Sequence, residues 1–268
     1  MIMKIPWILS LACLCMAAST KAEAAEYQAR VYTNAAGATL PYRLLIPEGY
    51  RPGRKYPLVV FLHGAGERGA DNRAQLVHGA PLFLKPEVLA KFPCFVVAPQ
   101  CPEGKRWVEV DWSAEIGVQP RQPSDPLGLV VELLRKIPRE FAIDTRRVYV
   151  TGLSMGGFGT WDLITRYPGR FAAAVPICGG GDTQVAAQAA KTPVWAFHSS
   201  DDPVVKVVRT RAMIAALRQA GGQPRYTEYT SLGHHSWSKA YAEPDLLPWL
   251  FAQHLLRRDD YPRKGASR

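Results

Sequence analysis

RRVYVTGLSMGGFGTW, residues 146–161, is the stretch that decides the fold. It begins with β-branched and aromatic residues typical of a strand, and it continues as a helical pattern that stops before Pro168. Between the two lies a G-x-S-x-G motif centred on Ser154. A nucleophile at a strand-to-helix turn has a strained backbone, and small residues at Gly152 and Gly156 avoid collisions there. The stretch therefore predicts a nucleophilic serine at a sharp turn.

Two backbone N–H groups are expected to stabilise negative charge on the oxygen of a reacting carbonyl group. One belongs to Met155, at the N-terminus of the helix after Ser154, where the helix dipole also favours an anion. The other is expected from the loop after an earlier buried strand, in LVVFLHGAGERG (58–69). In that loop we prefer the N–H of Ala65, with Gly66 as the alternative.

The remaining polar residues of that loop are interpreted as structural. His63 precedes the serine, whereas the base of such an arrangement comes last in the chain, so we expect His63 to orient or brace the loop. Glu67, Arg68 and Asn72 can brace the loop or line the substrate entrance, and we favour bracing.

The acid is expected after a later strand, in PVWAFHSSDDPVVKV (193–207). Two adjacent carboxylates repel each other and point in different directions, so one of them is expected to face the base. We prefer Asp202, because its spacing from His198 and the residues after it match the usual D-P-x-V arrangement. Asp201 is then a turn or cap residue.

Three histidines follow the acid. His254 falls within the last predicted helix and is interpreted as structural. His234 and His235 lie in a loop directly after the last strand, and Gly233 gives the backbone freedom to present the ring of His234. We therefore expect His234 to be the base.

Aromatic residues and His235 are candidates for substrate contact. His235 and Trp237 are expected to form the rim of the pocket, and Trp107 is a further substrate-binding candidate. For Trp107 and Trp112 the alternative is that they pin a long loop, and Trp161 is assigned to the core of a helix.

The rest of the chain predicts an α/β fold. Strands are expected near 28–33, 42–47, 56–63, 94–99, 146–152, 172–178, 193–199 and 225–230, and helices near 126–140, 155–167, 204–220 and 238–257. The runs VVFL and FVVA are continuous rather than alternating, as in strands buried on both faces of a parallel sheet. An early pair of strands followed by β-α alternation indicates a mainly parallel sheet of eight strands with helices on both faces.

The N-terminus has the pattern of a secretory signal peptide. Lys4 precedes an apolar run at 5–18, and a small-residue site follows, so we expect cleavage near Ala24 or Ala25 and a secreted or periplasmic protein. The run is shorter than a transmembrane anchor needs, and a lipoprotein box at Cys13 fits poorly. Residues 26–268 are then expected to form a single catalytic domain.

Composition and cysteines narrow the function classes. The net charge is +10, but the basic residues are scattered and form no stripe with aromatic residues, so nucleic-acid binding is not expected. Stable membrane insertion is not expected either, because the N-terminal apolar run is shorter than a membrane span needs. No spacing suggests a metal site, and no cofactor is expected. For Cys94, Cys101 and Cys178, both buried free thiols and a Cys101–Cys178 disulfide stay open.

Four motifs together resemble the α/β-hydrolase superfamily: HGAGERG (63–69), GLSMGGFGTW (152–161), DDP (201–203) and GHHSW (233–237). The similarity spans about residues 28–256 and is greatest to secreted carboxylesterases related to feruloyl and acetylxylan esterases, polyhydroxybutyrate depolymerases and dienelactone-hydrolase-like proteins. Ser199-Ser200 departs from the glycine often found after the strand-end histidine, and no lid domain is visible.

This resemblance implies an ester hydrolase with the chain order Ser154, Asp202, His234. Ser154 would attack, His234 would act as base and then acid, and Asp202 would hold the imidazole. The expected partner is a small-molecule or polysaccharide ester. The alternatives are a peptidase of the prolyl oligopeptidase type and a non-catalytic carbohydrate-binding protein on the same scaffold.

Overall fold

The computed structural model describes residues 25–255. The predicted signal peptide lies outside these residues except for Ala25 and stays a prediction. Within residues 25–255, no helix is both long enough and apolar enough to cross a bilayer.

A single sheet of eight strands organises the chain. The strands are β1 (Tyr27–Thr33), β2 (Thr39–Leu45), β3 (Tyr56–Leu62), β4 (Phe95–Pro99), β5 (Ile143–Leu153), β6 (Ala173–Ile177), β7 (Trp195–Ser199) and β8 (Arg225–Tyr229). Their order in the sheet is β1-β2-β4-β3-β5-β6-β7-β8. Strand β2 pairs antiparallel with β1 and β4, and the other pairs are parallel. The predicted eight-stranded, mainly parallel sheet is confirmed.

Helices cover both faces of this sheet. They are α1 (Pro86–Lys91), α2 (Asp125–Glu140), α3 (Met155–Arg166), α4 (Val208–Gln219), α5 (Trp237–Tyr241) and α6 (Leu246–Ala252). Strand β3 is buried throughout, and its alternate residues belong to two separate apolar clusters. Val60 packs in the cluster that holds α2, α3 and α4, and Phe61 packs in the cluster that holds α1, α5 and α6.

Two predicted helices differ from the observed ones. The helix predicted at 204–220 begins only at Val208, because the Asp202 carboxylate accepts hydrogen bonds from the N–H groups of Val204 and Val205 and holds them in a turn. The helix predicted at 238–257 is two short helices, interrupted near Pro244, which has no N–H to donate. His254 therefore lies beyond α6 and is exposed, not within a helix as predicted.

All three cysteines of the described chain are buried free thiols. Cys101 and Cys178 therefore form no disulfide, and the alternative of buried free thiols is the one observed. Burial raises the pKa of each thiol to about 12.

Candidate active site

Ser154 occupies a sharp turn between β5 and α3. Its φ of 52° lies in the left-handed region, which residues other than glycine rarely adopt. The N–H of Ser154 donates to the carbonyl of Ile177 at 2.9 Å. A Cβ on Gly156 would lie 1.9 Å from the carbonyl oxygen of Leu62, and one on Gly152 would lie 2.4 Å from that of Gly156. Only glycine at both positions lets the turn pack this closely against the end of β3.

The three predicted residues Ser154, Asp202 and His234 meet at this turn. The Nε2 atom of His234 lies 2.8 Å from Oγ of Ser154, and its Nδ1 atom lies 2.7 Å from Oδ2 of Asp202. A carboxylate can only accept, so Nδ1 carries the proton and Nε2 is left to accept the proton of the Ser154 hydroxyl. The side chain of His234 is 15% exposed and that of Asp202 is fully buried.

Asp202 is held as an anion by its surroundings. Its Oδ1 accepts from the backbone N–H groups of Val204 and Val205 at 2.8 and 2.9 Å. Burial acts to raise the pKa of Asp202, but hydrogen bonds from His198, His234 and Val205 outweigh it and hold the pKa well below its usual value. The acid beneath His234 is therefore ionised at neutral pH.

Asp201 does not face the imidazole. One of its oxygens accepts from the hydroxyl of Ser199, and the other accepts from the N–H of Gly233 at 3.2 Å. Asp201 thus ties the end of β7 to the loop that carries His234, which agrees with its interpretation as a turn residue.

His198 is a second partner of Asp202. The sequence does not predict this role, because His198 is considered there only for its distance along the chain from Asp202. The fully buried ring places Nε2 3.2 Å from Oδ2 of Asp202 and 2.9 Å from the carbonyl of Val205. Its Nδ1 lies 2.8 Å from the hydroxyl of Thr210, which itself lies 2.8 Å from the carbonyl of Gly179. His198 therefore fixes the carboxylate from the side opposite the solvent.

The two N–H groups predicted to stabilise an oxyanion are free of other partners. Within the described chain, the N–H groups of Ala65 and Met155 donate no hydrogen bond, and neither does that of Gly66. Ala65 follows β3, and Met155 is the first residue of α3, where four N–H groups of any helix lack an internal acceptor. Both are available to a ligand, and Gly66 remains the alternative to Ala65.

His63 braces this loop, as the sequence predicts. Its Nε2 accepts from the N–H of Cys101 at 2.9 Å, so Nδ1 carries the proton and donates to the carbonyl of Gly64 at 2.6 Å. Burial lowers the pKa of His63 to about 4, despite the hydrogen bond to Gly64. The neutral ring thus fixes the direction of the peptide that precedes Ala65.

Other side chains of the loop act in the same way. The guanidinium of Arg68 donates to the carbonyl of Ala65 at 2.8 Å, and the amide of Asn72 donates to the carbonyl of Arg30 at 3.1 Å. The Glu67 carboxylate lies 3.8 Å from Nε2 of His78.

The prediction that Trp107 binds substrate is wrong. Its side chain is fully buried, and its indole N–H donates to the carbonyl of His63 at 3.0 Å. The alternative holds: Trp107 pins the long loop that the sequence places after β4, because the hydroxyl of Ser124 also donates to its carbonyl at 2.8 Å. Trp161 is fully buried in the core, as predicted.

Trp237 and His235 lie beside the base. The Trp237 ring is 5.5 Å from the ring of His234 and 4.6 Å from that of His235, measured between centroids. His235 is exposed, whereas Trp237 is largely buried and lines a cleft of about 260 Å³ with the 77–85 segment. Both residues therefore border the serine site on one side.

Comparison with known proteins identifies the family. Residues 51–243 match the phospholipase/carboxylesterase family. The chain belongs to this family. A probable carboxylesterase of Oryza sativa subsp. japonica is 30% identical over 196 residues, which is 67% of this chain and 81% of that protein.

Two solved structures show the same α/β-hydrolase fold. A thermostable esterase is 43% identical with a TM-score of 0.80, and the match covers 85% of this chain but only 63% of that protein. A feruloyl esterase module from Clostridium thermocellum, solved with sinapinate, has a TM-score of 0.62 at 16% identity, over 85% of this chain and 88% of that one. The family and the first of these structures establish that the chain is a hydrolase.

Proposed function

We propose that this chain is a serine carboxylesterase that works through an acyl-enzyme, with Ser154, His234 and Asp202 as its catalytic triad. The observation that carries the proposal is the unbroken line of hydrogen bonds from the serine hydroxyl through the imidazole to an ionised, buried carboxylate. This arrangement activates a hydroxyl as a nucleophile.

The geometry supports a two-step reaction. The Oγ atom of Ser154 attacks the ester carbonyl carbon while Nε2 of His234 takes its proton, and the N–H groups of Ala65 and Met155 stabilise the oxyanion. His234 then gives that proton to the leaving alcohol, which forms the acyl-enzyme. Water attacks the acyl carbon with His234 again as base, and the carboxylic acid and free Ser154 are restored. Asp202 holds the Nδ1 proton and stabilises the imidazolium in both steps.

The proposed substrates are esters of short acyl groups, either small molecules or acyl groups linked to polysaccharide. His235 is exposed beside the base, with its ring 4.6 Å from that of the buried Trp237, and its imidazole face is open to packing against an aromatic acid or a sugar ring. The fold shared with a feruloyl esterase module makes feruloyl esters a rational part of the substrate panel, with acetyl-xylan, short-chain aryl and hydroxybutyrate esters.

A chromogenic short-chain ester assay tests the proposal. Ser154→Ala is expected to lose on the order of 10⁶ in turnover. The matched control is Ser200→Ala, since Ser200 is exposed and its side chain forms no hydrogen bond within the described residues. Full activity in Ser154→Ala refutes the proposal. Faster cleavage of proline amides than of esters would instead favour the peptidase alternative, and no hydrolysis at all would favour a binding role.

We also propose that the protein is exported and that its signal peptide is removed near Ala24 or Ala25. The support is the order of Lys4, the apolar run and the small-residue site. The intact mass of protein recovered outside the cytoplasm tests this, because an uncleaved N-terminus would contradict it.

A further inference from the structure

A buried thiol lies against the triad and takes no part in the proposed reaction. Cys178 directly follows β6, and its Sγ atom, one carboxylate oxygen of Asp202 and one ring nitrogen of His234 all lie within 4.8 Å of one another. Cys178 is fully buried, so the sulfur approaches the His–Asp pair from inside the protein.

The backbone fixes this position. Cys178 has a φ of 40°, in the left-handed region, and its N–H donates to the carbonyl of Phe197 at 2.8 Å. Ser236 adds a second polar atom at the same place, because its fully buried hydroxyl lies beside the Cys178 thiol.

Thiolate, imidazole and carboxylate together form a donor set typical of zinc. Zn²⁺ binds sulfur at about 2.3 Å and nitrogen or oxygen at about 2.0–2.2 Å, so donor atoms this close together can converge on one ion after small movements. Softer thiolate-containing sets favour such ions over magnesium or calcium.

We propose that Cys178, Asp202 and His234 form an inhibitory site for Zn²⁺ and similar thiophilic divalent cations. The ion forms bonds to Sγ, to Nδ1 of His234 and to one oxygen of Asp202. The thiol proton leaves to solvent, and the Nδ1 proton is lost while Nε2 gains one, so one proton is released in total and nothing is oxidised or reduced. The bond between Nδ1 and Asp202 is broken.

The consequence is inhibition through the wrong tautomer of His234. With the ion on Nδ1 and a proton on Nε2, the ring can only donate toward Ser154 and cannot accept the proton of the nucleophile. The bound cation also disfavours the imidazolium that the reaction needs. Esterase activity is therefore expected to fall as the concentration of such free divalent ions rises.

Titration of ester hydrolysis with ZnCl₂ tests the proposal. We expect the wild type to be inhibited and to recover with a chelator, and we expect Cys178→Gly to need at least about ten-fold more Zn²⁺ for half inhibition. Glycine suits the backbone at this position, because it adopts positive φ freely. Cys178→Ser, which also removes the sulfur ligand, is expected to show the same loss of Zn²⁺ sensitivity. Cys94→Ser is the matched control, since Cys94 is also buried but belongs to neither the triad nor this cluster.

Direct binding provides a readout that does not depend on catalysis. Full-length Ser154→Ala keeps all three ligands, and Co²⁺ is expected to produce a thiolate-to-metal charge-transfer band that is absent from Ser154→Ala/Cys178→Gly. Equal Zn²⁺ sensitivity of Cys178→Gly and wild type, no inhibition of the wild type at millimolar Zn²⁺, or no such band would overturn the proposal. A band in Ser154→Ala without esterase activity in the wild type would support the metal site and refute only the proposed function.

Discussion

Gly156→Ala probes the requirement that the turn at Ser154 packs against the end of β3. The added Cβ would lie 1.9 Å from the carbonyl oxygen of Leu62, 2.5 Å from its carbonyl carbon and 2.9 Å from the carbonyl oxygen of His63. These are backbone atoms that no side-chain rotation can move, so the turn and the start of the oxyanion loop must separate by about 1 Å.

This separation affects both stability and catalysis. Overpacking of this kind costs about 1–3 kcal/mol, and a misplacement of about 1 Å at a reacting group can cost roughly 10² in turnover. We expect Gly156→Ala to unfold at lower urea concentration and to lose about two orders of magnitude in kcat on a chromogenic ester.

Gly128→Ala is the matched control for this experiment. Gly128 lies within α2, and a Cβ there would meet no atom within 4 Å. Alanine is expected to stabilise the helix by roughly 0.5–1 kcal/mol without changing kcat. Wild-type stability and kcat in Gly156→Ala would refute the reasoning, because the close approach would then not constrain the site.

Three further predictions concern the acid, the base and the oxyanion loop. Asp202→Asn is expected to lower turnover by roughly 10⁴, whereas Asp201→Asn, which loosens the loop before His234, lowers it far less; equal losses would contradict the assignment. His234→Ala abolishes hydrolysis at neutral pH, while His235→Ala changes KM more than kcat, as steady-state kinetics on the same ester would show. Because burial lowers the pKa of His63 from 6.5 to about 4, the unfolded chain binds a proton between these values that the folded chain does not. The stability present above pH 6.5 therefore falls by roughly 3 kcal/mol as the pH drops to about 4. Urea unfolding across this range measures the loss, and an equal slope in His63→Asn would contradict its assignment to His63.

The sequence predicts well those elements whose residue pattern is compatible with only one local structure. Continuous apolar runs such as VVFL mark buried strands whatever surrounds them, and all eight strands lie where they are expected. The turn at Ser154 is equally constrained, because its glycines are required by backbone contacts with Leu62 that any such strand-to-helix turn would make. The chain order of serine, acid and base follows from the same topology.

The elements that the sequence does not reveal depend on contacts distant in the chain. Residues 204–207 have a helical pattern, yet the Asp202 carboxylate captures the N–H groups that would begin a helix. In the sequence, Trp107 fits a stacking surface equally well. Its full burial and its hydrogen bonds to His63, 44 residues away, and from Ser124 show that it pins the loop. The positions of His198 and Cys178 beneath the triad likewise arise from the pairing of β6 with β7.

Labelling with a serine-directed fluorophosphonate, followed by peptide mapping, tests most directly whether Ser154 is a nucleophile activated by His234 and Asp202. The account predicts one adduct, on the peptide that contains Ser154, and slow or absent labelling in His234→Ala. An adduct on a different serine, or undiminished labelling of Ser154→Ala, would contradict it.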